Sequence, residues 1–398
     1  MTAPLASSLA AWATGFDPSD EELELARRSL LDTLAVMVAA RADPRADLFG
    51  RLGGEAGRWA ALAHVLDYDD LHMPSTTHIS AVCLPAALAS GGGARAYLAG
   101  AGVMARLGTA LGWRHYEAGW HATCTAGAPA AAVSAAVARG LDAEQIAVAI
   151  ALALPAAGGV QRAFGTTAKA LQVGFAAEAG VRAATLAEAG ASADVRALEA
   201  WMTLVGGDGG ALDMSGPAVP GGLALKLFPC CYALQRPIAA VVDLGLTPER
   251  RVRRIAVKTP ACSLAPLIHH RPRTGLEGKF SLEYGVAAAL LDGRPGIESF
   301  SDEAVRRAEA ARLVEAVETV ATAGGEDLLS GEIELEVTLA DGSRAATTLA
   351  LPPGAPDRPP TDEELRTKLE LCAGDAAREL AALTWESAGA YLRSRLAG

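Results

Sequence analysis

The sequence predicts a mainly α fold, a large all-helical domain followed by a smaller α+β domain, and three observations carry this expectation. Apolar residues make up 51% of the chain but aromatics only 5%, so the core is built chiefly from Ala, Leu and Val, a composition that suits closely packed helices. As far as about residue 204 the apolar positions recur at helical spacing behind capping signals; beyond a Gly- and Pro-dense stretch they alternate, as strands do. At 398 residues the chain is long enough for two cores, since domains cluster near ~100–200 residues.

The elements follow in order. Ser19 with Glu22 forms a capping box ahead of Leu23, Ala26, Leu30, Leu34 and Val38, which share one helix face. Asp142 with Gln145 repeats the device before Ile146 and Ile150, and Pro155 ends or bends that helix. From Lys169 to Ala189 a helix carries Gly174, Ala177, Val181 and Ala184 on one stripe, where small side chains let backbones approach closely, and Gly190 stops it. From Val205 to Gly222 the sequence loses periodicity, which makes this stretch the best domain boundary. After it, Arg254–Lys258 alternates. Glu332–Leu339 alternates up to the turn Asp341-Gly342, and Ala345–Leu351 follows, predicting a β-hairpin with one buried face. Helical patterns at Ser281–Leu291 and Asp302–Ala321 lie between the strands, and Thr361-Asp-Glu-Glu364 is a further capping box. The expected organisation is therefore 1–222 all-helical and 223–361 smaller α+β, with terminal helices about 362–398 packing back on the first domain.

A net charge of −11 repels nucleic-acid phosphates and anionic lipid, and no basic run offsets it, so neither is expected as a partner. An anionic small molecule would need a cationic pocket inside an acidic protein. The six cysteines show no C-x-x-C spacing, which argues against iron–sulfur or zinc sites and for buried thiols in a reducing compartment. No basic flank precedes an apolar segment at the N-terminus, and the run near Leu30–Ala40 carries Asp32 and is too short to span a bilayer. A cytoplasmic enzyme without metal or cofactor is expected, its chemistry carried by side chains.

Polar, Gly-flanked stretches among apolar helices are where such chemistry would sit. They are Asp67-Tyr-Asp-Asp70 with His72 and His78-Ile-Ser80; Gly119-Trp-His121-Ala-Thr123-Cys-Thr125-Ala-Gly127; Gly165-Thr166-Thr-Ala-Lys169; Lys226-Leu-Phe-Pro-Cys230-Cys231; and Arg271–Tyr284. Each alone has a plainer explanation. An Asp cluster is often a helix cap or solvated turn, and a single His often a satisfied core residue. A lone Lys226 can extend from a core edge, and vicinal cysteines usually just pack. Asp-x-Asp-Asp could also hold Mg²⁺ in a terpene cyclase, but aromatics are too few to shield a carbocation. Lys169 is less easily dismissed, because a lysine at a helix start opposes the helix dipole.

Together the five stretches resemble, in order and spacing, the MmgE/PrpD family. Ala63-His64-Val-Leu-Asp67-Tyr-Asp-Asp70 is similar to its AHxxD[FY]DD segment, the run to Gly127 to its GxHxTxTxG segment, and Gly165-Thr166-x-x-Lys169 to its GTxxK segment. Lys226-x-Phe-Pro is similar to its lysine-aromatic-proline segment, and Thr274–Tyr284 to its most specific run. The resemblance implies a helical domain, a smaller lid domain, a site in the cleft between them, and a homodimer. It also implies lyase activity, dehydration or decarboxylation, on a small di- or tricarboxylic acid; Tyr116–Gly127 and Arg273–Tyr284 are also similar to the family's iminodisuccinate epimerases. A non-catalytic member is a further alternative.

Such reactions need cations to hold carboxylates and groups to move a proton. His121, Lys169, His78, Asp67 and Tyr284 are the expected catalytic residues. Asp70, Thr125, Thr166, Lys226, Arg273 and Lys279 are the expected substrate-binding ones, with Lys169, Lys226 and Arg273 as the carboxylate clamp. The chain departs from the family pattern at Leu71, Ile79, Ala170, Gln172 and Gln235 and is shorter than typical members between Ala40 and Leu62. Gln172 and Gln235 replace frequent histidines, which points to a substrate with fewer or differently placed carboxylates.

Overall fold

The computed structural model describes residues 3–246 and 251–396, and the chain is mainly helical with one small sheet. The predicted capping boxes at Ser19, Asp142 and Thr361 are all formed, each with reciprocal side-chain and backbone bonds. They open the helices Asp20–Ala40, Ala143–Ala153 and Asp362–Ala373. Pro155 falls in a single 3₁₀ turn, Leu154–Ala156, that ends the second of these.

The middle of the bundle is the helix Ala122–Ala138, in which every residue from Ala122 to Ala136 is buried. It is apolar all round because helices surround it. Its neighbours include Ala94–Glu117, Ile79–Ala89, Ala143–Ala153 and Ala168–Glu188. One hydrophobic core joins residues of this bundle from Ala6 to Val219 with Cys372, Leu380, Ala388, Tyr391, Leu392 and Leu396 from the C-terminal helices. Asp362–Ala373 lies on Asp20–Ala40, and Trp385 stacks on Tyr97 with ring centroids 5.3 Å apart.

The second core spans Ala224 to Leu339 and includes Leu71 and Phe164 reaching in from the bundle. Its sheet has the order β2-β1-β3-β4, with β1 Val252–Pro260, β2 Val317–Thr322, β3 Ile333–Leu339 and β4 Arg344–Leu349. β1 pairs antiparallel with β3, and β3 with β4 across the predicted hairpin, where Gly342 takes a φ of 85°. Helices Gln235–Asp243 and Ala308–Ala316 cover the face that carries Ile255, Val257, Leu335 and Val337.

One expected helix is shorter than its pattern. The run Asp302–Ala321 breaks into Asp302–Val305 and Ala308–Ala316, and its tail becomes β2, parallel to β1 at the sheet edge. Val317-Glu-Thr-Val-Ala-Thr is rich in β-branched residues, which favour a pleated strand over a helix. No Gly or Pro separates helix from strand, so the change leaves little mark in the sequence.

The small-residue stripe is real but rotated by one position. Gly174, Ala177 and Ala184 are buried, whereas Val181 is only half-buried. The closest approach is at Gly180, where a Cβ would lie 2.4 Å from Ala131 Cβ, 2.5 Å from Ala132 N and 2.7 Å from Ala128 O. Gly180→Ala is therefore expected to destabilise the protein by about 1–3 kcal/mol, because backbone on the facing helix cannot move aside as a side-chain tip can. Urea unfolding measures this; an unchanged or raised midpoint would show that the helices have room to part. Among the described residues no helix is long and apolar enough to cross a membrane.

Candidate active site

The helix Glu55–Val65 ends beneath the second core, and the chain turns there through Leu66–Asp70. Asp67 makes the turn with a φ of 52°, a left-handed conformation uncommon outside glycine but tolerated by Asp. Its carboxylate Oδ1 accepts from Lys226 Nζ at 2.5 Å and lies 3.3 Å from Lys169 Nζ. Burial opposes charge on Asp67, yet the two ammonium groups outweigh it and hold the carboxyl well below the usual range. Asp69 is equally buried. Its Oδ2 is 2.8 Å from His64 Nδ1 and 3.0 Å from His78 Nδ1, and despite its burial His64, His78 and Lys226 keep it ionised.

The hydrogen bonds fix how each histidine holds its proton. His78 Nδ1 faces two acceptors, Asp69 Oδ2 and the Asp70 carbonyl at 2.9 Å, so Nδ1 carries the hydrogen and Nε2 keeps a lone pair. His121 is the reverse. Its Nδ1 is 2.7 Å from the Gln172 amide nitrogen, which can only donate, and the amide is oriented because Gln172 Oε1 accepts from Val160 N–H at 3.1 Å. The neutral His121 ring therefore bears its hydrogen on Nε2. Burial keeps both rings neutral. It pushes His78 down to about 4, partly opposed by Asp69, and pushes His121 well below its ordinary value with help from Lys169. In His64, Nδ1–H points at Asp69 and Nε2 accepts from Lys169 Nζ at 2.6 Å, giving a chain from Asp69 through His64 to Lys169.

Asp67, His78, His121 and Lys169 line one narrow cleft of about 340 Å³, open mouth included. Tyr116 and Phe164 of the bundle face Cys231, Tyr232, Phe280 and Leu328 of the second core across it. Lys169 Nζ sits 5.5 Å from the Phe164 ring centroid and 5.3 Å from that of Phe280, so the cation is walled by aromatic faces. Lys226 is wholly buried behind Asp67.

The other expected residues lie elsewhere. Tyr284 is wholly buried in the second core, its hydroxyl donates to the Ser299 carbonyl, and burial pushes it up to about 12. Arg273 is exposed, and its backbone N–H and carbonyl are engaged by Glu277 and Arg306. Thr125 sits behind the cleft, its hydroxyl 2.9 Å from His115 Nε2. Thr166 is exposed and donates to the Ala163 carbonyl. Lys279 is buried and donates to two carbonyls, of Leu66 and Pro229. Asp70 points away from the cleft to cap the helix Ile79–Ala89 through the Ser80 N–H and hydroxyl. Conversely, His64, Asp69 and Gln172 belong to the site although sequence reasoning did not select them. For His64 a signal existed: a single imidazole in the apolar run Ala60–Val65.

His64, Asp69 and His78 also offer three ligand atoms within 4.8 Å of one another, a spacing a metal ion could use. Two ammonium groups face two of the same residues, Lys169 at 2.6 Å from His64 Nε2 and Lys226 at 4.0 Å from Asp69 Oδ1. Coulomb repulsion from both lysines works against a divalent cation, and the geometry fits an ion-pair network better.

Asp70 gives a pH signature. Burial raises its pKa from 3.8 to about 7, partly opposed by Ser80. Between those values the folded protein holds a proton that the unfolded chain has lost, so the stability this group contributes is complete below 3.8 and disappears as pH rises through 7. Asp70→Asn, which mimics the protonated form, is expected to match the wild type near pH 4 and to exceed it by roughly 1–3 kcal/mol above pH 7. Denaturant unfolding across that range checks it; a pH-independent difference would mean that Asp70 does not titrate there.

With this geometry in view, two comparisons bear on kinship. The profile of the MmgE/PrpD N-terminal domain matches residues 56–206, and that of the MmgE/PrpD C-terminal domain matches residues 228–387. Two curated relatives, both named cis-aconitate decarboxylase and both from Aspergillus terreus, one of them from strain NIH 2624, are each 26% identical over 366 residues. Each alignment spans 80% of this chain and 74% of the relative. The two profiles together cover most of the chain and meet across the cleft described above, and the chain belongs to the MmgE/PrpD family.

Proposed function

We propose that this chain is a lyase that breaks a bond beside a carboxylate of a small di- or tricarboxylic acid, by loss of carbon dioxide or water, with side chains supplying the acid, the base and the charge stabilisation. The observation that carries this reading is the pair of opposite tautomers on one cleft: a lone pair on His78 Nε2 and a hydrogen on His121 Nε2. The names of the two relatives support an unsaturated tricarboxylate and decarboxylation as the first case. In that reaction the carbon–carbon bond to the departing carboxylate breaks and its electron pair stays on carbon, delocalised towards a remaining carboxylate. His121 Nε2–H then protonates that carbon, leaving an imidazolate that the Gln172 N–H and the Lys169 ammonium stabilise until a water restores its proton. In a dehydration, His78 Nε2 takes the proton from the carbon beside the carboxylate, the pair forms the double bond, and His121 protonates the departing hydroxyl to water; the resulting His78 imidazolium beside Asp69 and His121 imidazolate beside Gln172 return to neutral by proton exchange through water.

Lys169 is the cation placed to hold the substrate. Its present partner on the cleft wall is Asp67, and an incoming carboxylate would compete for the ammonium group. Exclusion of water between Phe164 and Phe280 strengthens that contact. Asp69 orients His78 and His64 rather than meeting substrate. The same tautomer pair supports a second reading, epimerisation of a substituted succinate, with His78 removing a proton on one face and His121 delivering one on the other. The six buried, unbridged cysteines support a reducing cytoplasmic setting, and the family resemblance supports a homodimer.

Proton NMR in D₂O with citrate, 2-methylcitrate, cis-aconitate and iminodisuccinate tests the proposal. Conversion with loss of carbon dioxide or water is expected, whereas deuterium uptake without change of formula would favour the epimerase reading. His121→Ala is expected to lower the rate by about 10²–10⁴-fold, and Lys169→Ala by about 10²–10³-fold. Turnover that survives both substitutions would remove this cleft from consideration.

A further inference from the structure

A chain that leaves a helix into a buried turn carries carbonyl groups with no helical or sheet partner, and the helix dipole makes that end negative. Where the helix Glu55–Val65 ends, three successive carbonyls meet three buried lysines. Lys279 Nζ donates to the Leu66 carbonyl at 2.8 Å, Lys226 Nζ to that of Asp67 at 3.0 Å, and Lys368 Nζ to that of Tyr68 at 2.8 Å. His78 Nδ1 takes the Asp70 carbonyl further along the same turn. The lysines come from distant parts of the chain. Lys226 and Lys279 belong to segments of the second core, and Lys368 to the C-terminal helix Asp362–Ala373. All three are buried.

A lysine is a costly way to satisfy a carbonyl, since burying an ammonium group demands compensation that a small neutral donor would not. Lys368 obtains it from Asp32, 2.5 Å away, and from the face of Tyr68, whose centroid is 4.2 Å from Nζ. Among the described residues Lys279 has no carboxylate in ion-pair contact; it holds the Leu66 and Pro229 carbonyls and lies 4.9 Å from the Phe300 ring centroid. Burial lowers its pKa to about 8. Neither lysine lines the cleft that His78 and His121 share; Lys279 reaches only a smaller adjoining space beside Asp67, Lys169 and Phe280. What both hold is the backbone on either side of Asp67, the residue at φ 52° whose carboxylate meets Lys169.

We propose that Lys279 and Lys368 are positioning residues that, with Lys226, form a three-lysine cap on the carbonyls of Leu66, Asp67 and Tyr68 and so aim the Asp67 and Asp69 carboxylates at Lys169, His64 and His78. The cap ties the helical bundle, the second core and the C-terminal helix to one turn. Its effect on turnover rests on the reading of this cleft as a carbon-acid centre; the cap itself does not.

The test uses two full-length variants. Asp32→Asn/Lys368→Met removes both members of the buried ion pair, so that no unpaired charge remains, and Lys279→Met removes the second donor. Amide exchange read by mass spectrometry is expected to accelerate by at least about tenfold in the peptide spanning residues 66–71, with the helix Ala122–Ala138 unchanged. NMR of labelled histidines is expected to show His78 taking up its proton at higher pH than in the wild type. If the wild type turns over any carboxylate of the panel, kcat is expected to fall about 10–100-fold while KM stays within about threefold. Lys368→Arg, which keeps N–H donors for both Asp32 and the Tyr68 carbonyl, is expected to retain wild-type exchange. Folded variants with wild-type exchange at residues 66–71 and an unmoved His78 titration would overturn the proposal, whether or not a substrate has been found. A wild type inactive on the whole panel, with exchange and titration shifted as expected in the variants, would leave the cap standing and count against the lyase reading alone. If the double variant does not fold, Lys279→Met decides on the same two readouts.

Discussion

The structure turns on the burial of Asp67 against Lys226. A carboxylate and an ammonium group taken out of water lose hydration that only close mutual contact can replace, and removal of either partner leaves a bare buried charge. Asp67 comes from the end of a bundle helix and Lys226 from the start of the second core, so this contact joins the two. The left-handed backbone at Asp67 would be strained in isolation. Here it is held by the same lysine, which takes both the carbonyl and the carboxylate.

That pairing also sets the electrostatics of the cleft. Asp67 and Asp69 carry two negative charges against the positive charges of Lys169 and Lys226, so the wall is close to neutral before any ligand arrives. A carboxylate entering this wall adds negative charge beside neutral imidazoles, which raises their affinity for protons. On the proposed function, ligand binding and proton uptake at His78 would be coupled through Asp69, which both His64 and His78 address. An acidic protein can in this way receive an anion without a strongly positive surface, because the cation is internal and already has a partner that can be displaced.

Local signals were legible in the sequence where a side chain acts within a few residues of itself. Ser19, Asp142 and Thr361 start helices because each reaches its own third residue, and the alternation from Ile333 to Leu349 is a hairpin closing over Gly342. β2 was hidden because its place at the sheet edge comes from parallel pairing with β1, some sixty residues earlier in the chain. The resemblance implied Asp67, His78, His121 and Lys169 as active groups, and the structure brings these together, but sequence could not sort groups of the same type by direction. Asp67 and Asp70 belong to one short turn, yet one carboxylate meets lysines and the other caps a helix with Ser80. Lys169 and Lys279 are both buried lysines, and only the first lines the cleft that His78 and His121 share.

Gln172 shows how a departure from the family pattern acquires a physical meaning once its contacts are known. In place of a frequent histidine it reads as the loss of a cationic group from the site. Yet a histidine there could either donate to His121 Nδ1 or accept from it, and would leave the tautomer undetermined. The amide cannot. Val160 fixes its orientation through N–H to Oε1 at 3.1 Å, so the nitrogen is turned to His121 and only donation remains. The hydrogen of His121 is thereby confined to Nε2 at every pH at which the ring is neutral, and burial together with Lys169 keeps it neutral well below pH 6.5. A proton donor of this kind does not depend on the ring being charged. In the proposed reaction it would protonate a carbanion or a departing hydroxyl, with Lys169 beside it exchanging its Asp67 partner for the carboxylate.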